Sequence, residues 1–173
     1  MENPPAPEQA LQRIRNISRT NGWGVAVFAT LSVPLALLFG DWVGAGVALA
    51  AVVSGAMEIH GNRRLRAGQA EGMRWLVRAQ LFLLSVILVY ATGRLFSFDG
   101  EYVASLLTPE MEEIFQQAGI EKVQILPLVR MFFLTFYGTV ILVSCLYQGG
   151  LAWYYRRKTP LVAAALSAPP PAA

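Results

Sequence analysis

With 173 residues, 55% of them hydrophobic, 14% charged and a net charge of only +3, the chain is too apolar for an ordinary soluble domain, in which about 25% of residues are charged. Its basic residues stand at the ends of long apolar blocks instead of forming one continuous patch, which argues against a nucleic-acid interface. The single cysteine, Cys145, lies inside an apolar block; this excludes an intramolecular disulfide and a cysteine-built metal site, and leaves Cys145 as a small packing residue.

Residues 1–22 open with a Pro-rich stretch that predicts disorder. From about Pro7 the pattern changes. Leu11, Ile14 and Ile17 are spaced by three among Arg13, Arg15 and Arg19, the signature of a short basic amphipathic helix suited to an anionic lipid surface. A frayed tail is the alternative, because isolated short helices are marginal in water. The arginines followed by an apolar run also resemble a signal peptide. The run 23–39, however, exceeds the usual apolar core of about 7–15 residues, so an uncleaved first span is expected.

Span 1 covers 23–39 and contains Pro34, which removes the backbone bond to the Thr30 carbonyl. Span 2 covers 42–59. One helix over 23–59 would reach about 55 Å, far beyond the roughly 30 Å of bilayer hydrocarbon. Gly40 and Asp41, flanked by Phe39 and Trp42, therefore read as an interfacial turn with aromatic anchors. Span 2 carries small residues four apart, Gly44 with Ala48 and Ala51 with Gly55, a spacing that lets helix backbones approach closely. Span 3 is expected over 75–98, its helix beginning near Ala70 before the membrane, because Glu71, Arg74 and Arg78 follow helical spacing.

The segment 99–125 has six acidic residues against one lysine. Within it, 108–118 predicts a short amphipathic helix. Thr108 can cap it, Pro109 suits the first position, Glu110, Glu112 and Glu113 match the positive end of the dipole, and Gly119 suits the stop. Span 4 is expected over 127–154, followed over 156–173 by a basic end, Arg156, Arg157 and Lys158, and a low-complexity Ala/Pro tail that reads as disordered. The transmembrane domain is thus 23–155.

Four spans put the three basic clusters on one side: the N-terminal arginines, the 60–78 segment with Arg63, Arg64, Arg66, Arg74 and Arg78, and the 156–158 end. The acidic segment falls on the other. The positive-inside rule then orients both termini to the cytoplasm, and the Ala/Arg/Pro-heavy composition points to a bacterial plasma membrane. Arg63, Arg64, Arg66, Arg156, Arg157 and Lys158 serve this orientation or meet lipid headgroups.

No catalytic or nucleotide-binding motif is present. Glu58 and His60 are two apart and point to different sides of a helix, so they build no metal site, and His60 reads as interfacial. Ionisable residues within spans carry more weight. Glu58 and Arg78, near the ends of neighbouring spans 2 and 3, are expected to form an ion pair. Arg94 and Arg130, near the far ends of spans 3 and 4, are expected to clamp carboxylates of the acidic segment, Glu110 and Glu113 among them. Gln80 and Gln148 are assigned to interhelical hydrogen bonding. The fold expected is an all-α integral membrane protein, a four-span bundle. It needs no cofactor or metal, and its partners are the lipid bilayer, another membrane protein or a second copy. The role expected is that of a non-enzymatic structural or accessory component; the alternative is a small transporter or channel subunit with Glu58, Arg78, Arg94 and Arg130 along its path.

Overall fold

The computed structural model describes residues 7–99, 108, 113–115, 117 and 122–167. Five α-helices account for most of them: α1 (Pro7–Leu38), α2 (Trp42–Arg66), α3 (Gly72–Phe96), α4 (Lys122–Ser144) and α5 (Gly150–Ser167), with a π-helical turn, Cys145–Gly149, between the last two. The protein is an all-α membrane protein. Four helical stretches are long and apolar enough to cross a bilayer: α1, α2, α3 and the run Gln124–Ser167.

The turn at Gly40 and Asp41 follows from local chemistry. Gly40 takes φ +69, a left-handed conformation that strains a side chain bearing Cβ. The Asp41 carboxylate then accepts from the Gly44 N–H at 2.9 Å and caps α2. Gly68, at φ +78, closes the other end of α2, where the Gln69 N–H returns to the Arg64 carbonyl at 3.0 Å.

The helices group into two compact units. The first contains α1, α2, α3 as far as Ile87, the π turn and α5. Its apolar core is Leu11, Ile14, Leu65, Met73, Leu76, Tyr155 and Val162. These residues lie near the basic ends of their helices. At 1.5 Å per residue the 32 residues of α1 reach about 48 Å, well beyond the hydrocarbon, so α1 extends into water at one end. Burying apolar surface drives packing there. Within lipid it does not, because acyl chains are as apolar as leucine. Accordingly positions within the spans turn large apolar side chains outward: Phe28, Leu31, Leu49 and Val53 are all exposed. Trp23 and Trp153 at the basic end, and Phe39 and Trp42 at the other, bound this lipid-facing belt.

The second unit, Leu88–Val143, holds the end of α3 and α4. Aromatic pairs join α4 to the end of α3 and to the segment just past it: Tyr90 with Tyr137 at 6.2 Å and Phe98 with Phe133 at 5.1 Å between ring centroids, within the range in which ring quadrupoles attract.

Three expectations are corrected. The N-terminal amphipathic stretch is not a separate surface helix. It is continuous with span 1 in α1, and Leu11 and Ile14 face protein. The helix of span 2 runs on to Arg66, and that of span 3 begins at Gly72, close to the start expected near Ala70. The tail is helical to Ser167, because Val162, Ala165 and Leu166 extend the stripe begun by Tyr155 and pack on the core. Cys145 is exposed at the head of the π turn and not a packing residue. Of the helix expected over 108–118, residues 113–115 and 117 are helical; the remainder, Thr108 apart, lies outside the described residues.

Candidate functional site

Close backbone approaches set up the site. A Cβ on Gly55 would lie 2.8 Å from the Ala26 nitrogen and 2.9 Å from the Gly22 oxygen, so α1 and α2 cross at this point with no room for a side chain. A Cβ on Gly61 would lie 2.9 Å from the Gly72 carbonyl oxygen, which brings the start of α3 against α2. The Ser54 hydroxyl donates to the Ala79 carbonyl at 2.9 Å and ties the same two helices.

Between these crossings sits Glu58, 1% exposed. One carboxylate oxygen accepts from the Asn21 amide at 2.6 Å and the Gln80 amide at 2.9 Å. The other accepts from the Tyr155 hydroxyl at 2.9 Å. The donors come from α1, α3 and α5. The Tyr147 hydroxyl, from the π turn, donates to the Asn21 side-chain Oδ1 at 3.0 Å and continues the chain. A carboxylate removed from water is tolerable only when its lone pairs are filled, and three donors fill most of the four sites available here. Glu58 lies 16 residues along α2 from Trp42, about 24 Å. That places it inside the hydrocarbon edge, near the basic end. The Gln80 side-chain oxygen is buried without a partner among the described residues, as is that of Gln148 in the π turn.

A second polar layer lies one turn toward the basic end. The Asn62 amide donates to the Arg15 carbonyl and to the Ser18 hydroxyl, each at 2.5 Å. The Arg15 guanidinium donates to the Leu65 carbonyl at 2.6 Å, placing a cation at the negative end of the α2 dipole.

The expected Glu58–Arg78 ion pair is not formed. Arg78 is exposed, and Gln80 is the α3 residue that reaches Glu58. Residues two apart on a helix point about 200° apart, so α3 cannot present both to one neighbour. Arg94 stacks over the Tyr90 ring at 5.3 Å and its Nε donates to the Tyr90 hydroxyl at 3.3 Å. Arg130 and Glu113 are exposed, and Glu110 lies outside the described residues, as does much of the acidic segment the clamp invoked.

The basic residues divide. Arg64 pairs with Glu71 at 2.7 Å and donates to His60 Nε2 at 3.1 Å, with His60 edge-on to Trp75 at 4.9 Å. Arg157 lies over the Trp153 ring at 5.2 Å, beside exposed Arg156 and half-buried Lys158. Arg63 and Arg66 join Arg19 around a cavity of about 170 Å³. Of the small residues in α2, Gly55 makes the helix crossing, while Gly44 is required by the cap, since a Cβ there would meet the Asp41 carboxylate. Ala48 is buried and Ala51 half-buried.

Asn21, Gly22, Asn62, Ser18 and Tyr155 are the participants that sequence reasoning missed. Their signal was a polar spacing inside apolar helices: Ser54, Glu58 and Asn62 are four apart on α2, and Arg15, Ser18 and Asn21 three apart on α1. Comparison with protein-family models, curated proteins and solved structures finds no match for this chain.

Proposed function

We propose that the protein is a non-enzymatic accessory component of a membrane, acting through helix–helix, lipid or partner contacts. In this reading it resides in a bacterial plasma membrane with both termini cytoplasmic, and its acidic segment faces the other side. The observation that carries the reading is the state of Glu58. The one carboxylate within the hydrocarbon region of the first unit is occupied by donors from three other helices, which suits a structural crosslink. The clustering of arginines at one end supports the orientation.

One observation favours the transporter alternative. An open groove of about 740 Å³ runs along α1 past Thr20, Gly24 and Phe28 and is bordered by Asn21 and Tyr147, two members of the Glu58 network. Cross-linking in native membranes, followed by purification, tests the accessory reading, with flux in proteoliposomes of the purified chain as the second arm. A stoichiometric membrane partner and no flux are expected. Flux by the chain alone, abolished by Glu58→Gln, would overturn the reading in favour of transport.

A further inference from the structure

The cavity at the basic end has a composition that the helix-packing argument leaves unexplained. Arg19 from α1 and Arg63 and Arg66 from α2 line it, with Asn62, Ile59 and Trp23 completing the wall. None of the three arginines forms an ion pair with a described residue. The ion pair in this region is Arg64–Glu71, and Arg64 does not line the cavity. The α2 dipole accounts for cations in its last turn, Arg63 and Arg66, but not for Arg19, which belongs to another helix. Three exposed guanidinium-bearing side chains around about 170 Å³ concentrate positive charge there, a setting that favours an anion. Arginine is suited to that anion being a phosphate, because its planar fork matches two phosphate oxygens at once. The cavity has room for a small tetrahedral group but not for a whole nucleotide. Its depth is set by half-exposed Trp23, a residue type that marks the boundary between headgroups and hydrocarbon, with Ile59 on the apolar side.

We infer that this cavity binds a phosphate-bearing anion, its phosphate held by Arg19, Arg63 and Arg66. The source is either the phosphodiester of an anionic lipid, entering from the membrane surface, or free inorganic phosphate. The inference does not depend on the accessory reading.

The test uses the full-length chain purified in mild detergent. Retention of phosphatidylglycerol against phosphatidylcholine is measured by native mass spectrometry, and inorganic phosphate is titrated in parallel while thermal stability is followed. The wild type is expected to retain phosphatidylglycerol selectively. Arg19→Gln and Arg66→Gln are each expected to weaken retention about ten-fold, the loss of one charge-assisted contact. Arg74→Gln and Arg78→Gln remove equal charge outside the cavity and are expected to leave it near wild type. Stabilisation by inorganic phosphate that also displaces the lipid assigns the site to the free anion; lipid retention indifferent to phosphate assigns it to the lipid. Equal losses in all four variants, or neither selective lipid retention nor phosphate stabilisation in the wild type, would overturn the inference. If the arginine variants do not fold, Ile59→Trp fills the cavity with every charge kept. Loss of binding in that variant supports the site, and unchanged binding refutes it.

Discussion

Glu58 has few ways to be replaced. Its two oxygens receive Asn21, Gln80 and Tyr155, so truncation strands three donors inside the protein. Glu58→Ala is expected to lower stability by about 1–3 kcal/mol, the desolvation penalty of unpaired buried groups. Tyr155→Phe removes one bond of three and should cost about 0.6 kcal/mol, typical of interhelical hydrogen bonds in membranes. Arg78→Gln should leave stability unchanged, whereas Gln80→Leu should lower it. Reversible unfolding in mixed micelles measures all four. A large loss in Arg78→Gln with none in Gln80→Leu would restore the ion pair and remove the network. The Arg64–Glu71 pair, by contrast, is largely exposed and contributes at most about 1 kcal/mol.

At the scale of the helices, glycine position separates packing from composition. α2 contains Gly44, Gly46, Gly55 and Gly61, and their surroundings differ. At Gly55 an added Cβ meets α1 backbone, which cannot move aside as a flexible side chain would; at Gly46 it meets nothing within 4 Å. Gly55→Val should therefore destabilise by about 1–3 kcal/mol through overpacking, while Gly46→Ala should be neutral or slightly stabilising in the same unfolding assay. A Gly55→Val protein as stable as wild type would mean that α1 and α2 do not cross there. The π turn Cys145–Gly149 has a related role. It carries Tyr147, whose hydroxyl reaches the Glu58 network through Asn21, and such turns add a residue to the helical period and so redirect the side chains that follow.

For the whole molecule the testable property is sidedness. The proposed four-span topology expects position 66 at the end of α2 and position 112 in the acidic segment in opposite compartments. On a Cys145→Ser background, Arg66→Cys and Glu112→Cys should react with an impermeant thiol reagent from opposite faces of the membrane, residue 112 from outside. Labelling of both from one face would overturn the four-span arrangement. Cys145 must be replaced because it is exposed.

Hydropathy, block length and charge placement were enough to establish four apolar helices, the turn at Gly40 and Asp41, and the gathering of arginines at one end. These are local properties. A run of about 20 apolar residues spans lipid whatever its neighbours, and Asp41 caps the helix that begins beside it. Choice of partner was not local. Glu58 could be recognised as costly from its position in a span, but α3 offered it both Arg78 and Gln80 within two residues, and attraction between opposite charges favoured the wrong one. The face α3 turns toward α2 decided the matter, and that face follows from the Gly61–Gly72 contact and the Met73, Leu76 and Leu83 stripe. The tail was misread for the same reason. Its Ala/Pro composition is that of a disordered segment, and only a core assembled from Leu11, Leu65 and Met73 gives Val162 something to bury against. Burial is a relation between segments far apart in the chain, so the folded arrangement, and not the composition of either segment, determined it.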